Sequence, residues 1–246
     1  MNEPMEDLIM TPLSADSVPR VIRHPSPPLG PVAIVFTLLF CASLYPVTVF
    51  GGLPHFPGPW ESAQTIAAFF QLRPGAAALC SFLQFGSAVP LGIYTATLVS
   101  RMRFLGVRAA GVHIALFGGF ATAAAVFLSA SIMWAMTQPG IAGDVMLTKA
   151  LYFVSYALGG PGYSVPLGLL MAGASIPALM WRLTPRWIAI LGLFLALCGE
   201  LSWINLEVPS AVFLIPLTRF PGFIWMIAFG FALPSTKPAR NVSQAV

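Results

Sequence analysis

Long apolar stretches alternate with short polar segments along this chain. A helix rises about 1.5 Å per residue, so about 20 apolar residues cross the roughly 30 Å hydrocarbon core of a bilayer. Six stretches reach this length, and glycine, proline and arginine mark most of their boundaries. The pattern therefore predicts six membrane-spanning helices, at residues 30–52, 75–100, 109–136, 149–181, 187–205 and 210–233.

The polar segments complete a predicted domain plan. Residues 1–29 are polar and rich in proline, which disfavours a helix and predicts a disordered cytoplasmic tail. Residues 30–234 form the six-span domain, and 235–246 form a short cytoplasmic tail. Between the first two spans, apolar residues within 61–72 suit either a short helix lying in the membrane interface or an ordered loop.

The basic residues follow the spans in a regular way. Nine of the twelve lysines and arginines fall before the first span, between the second and third, between the fourth and fifth, or after the sixth. Positive side chains are retained on the cytoplasmic side during insertion. The distribution predicts an all-α bundle of six helices with both ends in the cytoplasm.

Composition supports lipid as the main solvent. The chain of 246 residues is 57% hydrophobic and only 8% charged, with a mean hydropathy of +0.84, so it lacks the polar surface of a soluble domain. The net charge is +4, and the basic residues lie in short groups beside the spans, as topology signals do. We therefore expect no nucleic-acid partner. The three cysteines lie apart inside apolar runs, which indicates neither a disulfide nor a metal site, and no cofactor motif is present.

The fourth span is too long for one straight crossing, and it contains a cluster of helix-breaking residues. We predict a helix break at 159–166, including Gly160, Pro161, Ser164 and Pro166. The second span has a weaker counterpart at 86–90, with Gln84 and Ser87, and the segments 86–92 and 162–168 align as a weak repeat. Paired breaks can form a transporter binding site, but a kink packed by neighbouring helices is the alternative.

Glu200 and Arg219 are the two ionisable residues placed well inside predicted spans. A charge near the bilayer centre costs about 2.5–3.5 kcal/mol, so each side chain needs a partner in the protein. Both fall in the half of the membrane away from the basic loops, where a mutual ion pair is geometrically allowed. Three interpretations stay open: a structural salt bridge, a substrate or proton site, and a solvated Glu200 at the interface.

Evidence for an enzyme is weak. Ser129 and Ser131 with His113 suggest an intramembrane hydrolase, but about 25 Å separates them along one helix at 1.5 Å per residue. No catalytic residue is therefore assigned.

Two segments, ALGGPGYSVPLGLLMAG at 157–173 and IPLTRFPGFIWMIAFGFALP at 215–234, resemble those of a family of small bacterial six-span membrane proteins of unknown function. The resemblance covers about 30–234 and implies a location in the bacterial cytoplasmic membrane. It implies nothing about mechanism.

The sequence favours a multi-pass membrane protein that binds or transports a small lipophilic or weakly charged ligand. The expected site is a cavity near the helix breaks, Glu200 and Arg219. The alternative is a structural or regulatory membrane subunit in which Glu200 and Arg219 lock two helices together. The expected partners are the lipid bilayer, a small-molecule ligand, and a membrane-protein partner or a second copy of the chain.

Overall fold

The computed structural model describes residues 21–238, which contain eight α-helices and two short strands. The helices are α1 (Leu29–Leu44), α2 (Ala63–Leu72), α3 (Pro74–Phe104), α4 (Ala110–Met136), α5 (Val145–Gly159), α6 (Pro161–Met180), α7 (Arg186–Leu201) and α8 (Leu214–Ala232). The strands are β1 (Val21–Arg23) and β2 (Thr236–Pro238). Single 3-10 turns occupy Tyr45–Val47, Val49–Gly51, Ile141–Gly143, Ser202–Leu206 and Pro209–Phe213.

Six helical units in the described region are long and apolar enough to cross a membrane. They are Leu29–Val47, Pro74–Phe104, Ala110–Met136, Val145–Met180, Arg186–Leu206 and Pro209–Ala232, so the predicted all-α bundle of six spans is confirmed. The fourth begins four residues earlier than predicted because Asp144 caps it. The Asp144 carboxylate accepts hydrogen bonds from the backbone N–H groups of Met146 (3.1 Å) and Leu147 (3.0 Å).

The helices pack as a closed ring in the order α1, α3, α4, α6, α7 and α8, with α8 returning to α1. Helix α5 lies on α4 and α2. The ring is filled by large side chains that are fully buried, among them Trp225, Tyr94, Tyr163, Phe36 and Phe229. Large apolar side chains such as Phe82 and Phe117 are exposed on its outer surface, which fits a multi-pass membrane protein with lipid as its surroundings.

Helices α4 and α6 approach so closely that their backbones touch. A Cβ atom added at Gly118 would lie 2.5 Å from the carbonyl oxygen of Pro166, and one at Gly173 would lie 2.5 Å from the backbone nitrogen of Ala115. Only glycine fits at these two positions. The hydrophobic effect contributes little to helix association in lipid, so close backbone packing of this kind stabilises the helix pair instead.

The two described ends of the chain meet at one end of the bundle, here called the basic end. Strand β1 pairs antiparallel with β2, with Ile22 opposite Lys237. Residues 21–28 were predicted as part of a disordered tail, whereas the structure pairs 21–23 with 236–238. The rest of that tail, 1–20, and residues 239–246 of the C-terminal tail lie outside the described residues.

The opposite end of the bundle, here called the far end, carries α2. Of the two alternatives for this segment, the structure contains the helix. The Ser62 hydroxyl accepts a hydrogen bond from the backbone N–H of Thr65 (3.0 Å) and caps it. Ile66, Phe69 and Phe70 are buried against neighbouring elements, so the helix packs onto the bundle by its apolar face.

Candidate functional site

The fourth span is interrupted at Gly160, which separates α5 from α6. Gly160 has φ −93° and ψ −102°, outside the helical region. Pro161 has no backbone N–H and begins α6, so the break is confirmed within the predicted range. Pro166 lies inside α6 and does not interrupt it.

The prediction of a weaker break in the second span was wrong. Helix α3 runs unbroken through Pro90 from Pro74 to Phe104. One proline removes a single hydrogen bond, which a long packed helix tolerates. At the fourth span, in contrast, Pro161 lies among Gly159, Gly160 and Gly162, where the backbone resists bending least.

Arg219 reaches the break from α8. Its Nη2 donates a hydrogen bond to the carbonyl oxygen of Gly159, at the end of α5. Its guanidinium also lies over the rings of Tyr163 (4.6 Å to the centroid) and Phe40 (5.3 Å), where the ring faces attract a cation. The helix break therefore supplies the acceptor that a cation in an apolar region requires.

Glu200 does not pair with Arg219. Glu200 lies on α7 and faces α6, where a Cβ atom at Gly168 would be 3.2 Å from its Oε1. That Oε1 is buried without a hydrogen-bond partner in the described region. Arg219 faces Gly159 and the aromatic rings instead, so the helix lock formed by these two residues is not present in this structure.

A cavity of about 240 Å³ opens beside the break in the far-end half of the bundle. Arg219, Gly159 and Gly160 form part of its wall, and Gln84 of α3 forms another part. Most of the remaining wall is apolar. The other lining residues are Leu44, Val47, Phe56, Cys80, Met133, Tyr152, Ser155, Tyr156, Val212, Ile215 and Pro216.

Most polar groups in the cavity wall already have partners. The Tyr156 hydroxyl donates to Asn205 Oδ1, the Tyr152 hydroxyl donates to the carbonyl oxygen of Pro57, and Ser155 bonds with Ser129. The Gln84 amide makes no hydrogen bond within the described residues. Within residues 21–238, Arg219 donates only through Nη2, and its Nε is buried without a partner. Gln84 and Arg219 are therefore the polar groups with bonding capacity left for a ligand.

The loop that follows α1 covers the cavity at the far end, and Phe56 from this loop lines it. Two cations at helix starts hold the loop. Arg73 donates to the carbonyl oxygens of Gly51 (2.6 Å) and Pro54 (3.2 Å), and Lys149 donates to that of Pro59 (3.1 Å). Both cations bind neutral carbonyls and so act as anchors for the loop.

The structure brings together three of the eight predicted site residues, Gln84, Gly160 and Arg219, at the cavity. Pro161 is buried at the start of α6 next to it. The remaining four lie in helix contacts.

Of those four, Ser87 donates to the carbonyl oxygen of Gln84 (2.7 Å), and Ser164 is buried without a partner for its hydroxyl. The Pro166 carbonyl packs against α4 at Gly118, and Glu200 packs against α6. These residues support the bundle around the cavity without lining it.

Sequence reasoning missed several lining residues that share a helix face with a predicted one. Cys80 precedes Gln84 by four residues on α3, and Ile215 precedes Arg219 by four on α8. Tyr156 lies four residues before Gly160. Residues four apart lie on one face of a helix, so this spacing was the available signal.

Ser129, Ser131 and His113, the residues considered for a hydrolase, do not form a catalytic group. The Ser129 hydroxyl donates to the Ser155 carbonyl oxygen (2.8 Å), and the Ser131 hydroxyl donates to that of Phe127 (2.7 Å). Neither hydroxyl contacts His113. The described residues also contain no cluster of three or more His, Cys, Asp or Glu side chains that could hold a metal ion.

Comparison of the chain with protein-family models, curated proteins and solved structures gives no match. The geometry of the cavity is therefore the main guide to function.

Proposed function

We propose that this protein binds a small lipophilic molecule with a single anionic group in the far-end cavity. One observation supports this most directly: Arg219 lines an apolar cavity and has no carboxylate within 4 Å among the described residues. The proposed ligand places its anionic group against Arg219 and its apolar body against the remaining wall.

The unused hydrogen-bonding capacity of Arg219 supports a ligand. A cation at membrane depth costs about 2.5–3.5 kcal/mol, and the contacts of Arg219 with the Gly159 carbonyl and the aromatic rings offset this cost without using all of its donors. Arg219 binds one neutral carbonyl and leaves most of its five N–H donors unused. A carboxylate binds a guanidinium through two parallel hydrogen bonds, and Arg219 has enough unused N–H donors to form both.

Cavity size limits the ligand. A volume of about 240 Å³ corresponds to about eight water-sized groups at roughly 30 Å³ each. Hexanoate, with six carbons and two oxygens, has this size. Burial of its chain at about 0.8 kcal/mol per CH₂ gives roughly 4 kcal/mol, or a Kd on the order of 1 mM.

The test uses three probes of one chain length: hexanoate, hexanol and hexylammonium. The thermal unfolding midpoint of the purified protein in neutral detergent is measured against probe concentration at constant ionic strength. We expect hexanoate to raise the midpoint at a concentration at least tenfold below hexanol, because a hydrogen bond to a charged group contributes about 1.5–3 kcal/mol. Hexylammonium should have no stabilising effect.

Three variants locate the effect. Arg219→Met should abolish the preference for hexanoate over hexanol. Ile215→Phe should weaken the binding of both probes, because the larger side chain reduces the cavity volume. Glu200→Gln is the matched control, because it removes the other intramembrane charge, which lies outside the cavity wall. Equal responses to all three probes, or an unchanged preference in Arg219→Met, would contradict the proposal.

We also propose a location and an orientation. The resemblance to bacterial six-span proteins and the basic loops support the bacterial cytoplasmic membrane, with the basic end in the cytoplasm. The cavity would then face the outer half of the bilayer. Transport would additionally require an opening through the packed core around Tyr94 and Trp225. Co-purification with a membrane-protein partner, without any response to the probes, would instead support a structural or regulatory subunit.

A further inference from the structure

A second pocket, of about 310 Å³, lies at the basic end where the two ends of the described chain meet. It is formed by the segment joining β1 to α1, by the end of α3 and by the segment that follows α8. The side chains of Arg23, His24, Ser26 and Arg101 line it. It shares no residue with the far-end cavity.

Arg101 is a buried cation in this pocket. Its side chain is 5% exposed, and its partners are all neutral: the Ser26 hydroxyl (3.2 Å) and the carbonyl oxygens of Pro27 (3.1 Å) and Leu233 (3.4 Å). Its Nε is buried with no hydrogen-bond partner in the described part of the chain. The positive charge is therefore solvated by dipoles, and no side chain of residues 21–238 neutralises it.

Other groups in the pocket are also suited to an anion. His24 Nε2 contacts the Ser100 hydroxyl (3.1 Å), whereas its Nδ1 is buried without a partner among the described residues. Arg23 adds a second positive charge. The acidic side chains of the described region, Glu61, Asp144, Glu200 and Glu207, are absent from the pocket wall.

The pocket lies where α1 begins and α8 ends, the level at which lipid headgroups meet a six-span bundle. One side of it is apolar, with Pro31 and Phe231, and Phe231 is 64% exposed on the bundle surface. A lipid could therefore place its acyl chain along Phe231 while its headgroup enters the pocket. Basic pockets at this depth bind phosphate-bearing headgroups in other membrane proteins.

We propose that this pocket binds an anionic phosphoryl group, with Arg101 and Arg23 as its cationic partners. Phosphate oxygens accept several hydrogen bonds at once, and the Nε of Arg101 and the Nδ1 of His24 are unused groups at the site. The chemistry is the same for an anionic phospholipid and for free phosphate.

The experiment separates these two sources. The thermal midpoint of the full chain in neutral detergent is measured with dihexanoylphosphatidylglycerol, dihexanoylphosphatidylcholine, or sodium phosphate against sodium chloride, at matched ionic strength. Stabilisation by the anionic lipid alone assigns the pocket to lipid. Stabilisation by free phosphate as well assigns it to a soluble phosphate group. Equal stabilisation by phosphatidylcholine, or none by either phosphate source, overturns the proposal.

Matched variants test the position. Arg23→Gln should raise the half-maximal concentration about fivefold, the effect of losing about 1 kcal/mol for one basic side chain at a headgroup. Arg186→Gln is the control, because it removes one charge at the same end of the bundle but lies outside the pocket. An equal loss in both variants would indicate general surface charge and would also overturn the proposal. Arg101→Gln should reduce binding further where it folds, while Arg219→Met should leave the response intact.

Discussion

The substitution Arg219→Met tests whether the intramembrane cation serves binding or folding. Removing the charge should relieve about 2.5–3.5 kcal/mol of insertion cost. Losing the hydrogen bond to the Gly159 carbonyl should cost about 1.5–3 kcal/mol. Losing the contacts with the Tyr163 and Phe40 rings should cost about 2 kcal/mol. These contributions largely cancel, so we expect the variant to fold with a stability within about 2 kcal/mol of the wild type.

The assay is thermal unfolding in detergent, and the readout is the fraction of protein that stays monodisperse. A change of 2 kcal/mol corresponds to about 4–8 °C in the midpoint for a chain of this size. Arg219→Gln is the matched variant, because its amide can still donate to the Gly159 carbonyl without a charge. Failure of both variants to accumulate as folded protein, with rescue by Arg219→Lys, would refute this reasoning and make Arg219 a structural residue.

Two further predictions concern packing and topology. Gly173→Ala should lower the thermal midpoint by several degrees, because its new Cβ would meet the α4 backbone at Ala115 and overpacking costs about 1–3 kcal/mol. Gly86→Ala is the control. Nothing lies within 4 Å of the added atom, so this variant should be neutral or stabilising. Single cysteines introduced at the exposed positions Ala110 and Pro185, in a Cys41→Ala background, should resist impermeant maleimide on intact cells. Labelling of both from outside would contradict the proposed orientation.

The sequence was sufficient for the all-α class and the six spans, because membrane helices are specified by length and hydrophobicity, which are local properties. The break at Gly160 was also predictable, since Pro161 among glycines acts on its own backbone. Whether Glu200 pairs with Arg219 was not predictable. Depth along the membrane follows from residue count, but the direction in which a side chain points depends on the rotation of each helix. Glu200 and Arg219 share a depth and face different neighbours.

The short strands show the same limit at the basic end. Three residues are too few to display an alternating pattern, so the pairing of β1 with β2 had no local signal. That pairing joins residues 21–23 to 236–238 and shapes the pocket around Arg101. Both proposed binding sites therefore depend on contacts between segments distant in sequence. Of their cations, the sequence identified Arg219 as a candidate site residue, whereas Arg101 and Arg23 counted only among the basic residues that indicate topology.

The helix break and Arg219 act together at the far-end cavity. A long basic side chain inside a membrane tends to extend toward the nearest water. Here the Gly159 carbonyl at the end of α5 accepts a hydrogen bond from Arg219, because the Tyr163 N–H, its partner in a continuous helix, donates to the Gly160 carbonyl instead (3.2 Å). A continuous fourth span would take this acceptor into its own hydrogen-bond ladder. The break thus provides a fixed position for a guanidinium at the cavity wall, and the cation in turn satisfies a carbonyl that lipid could not.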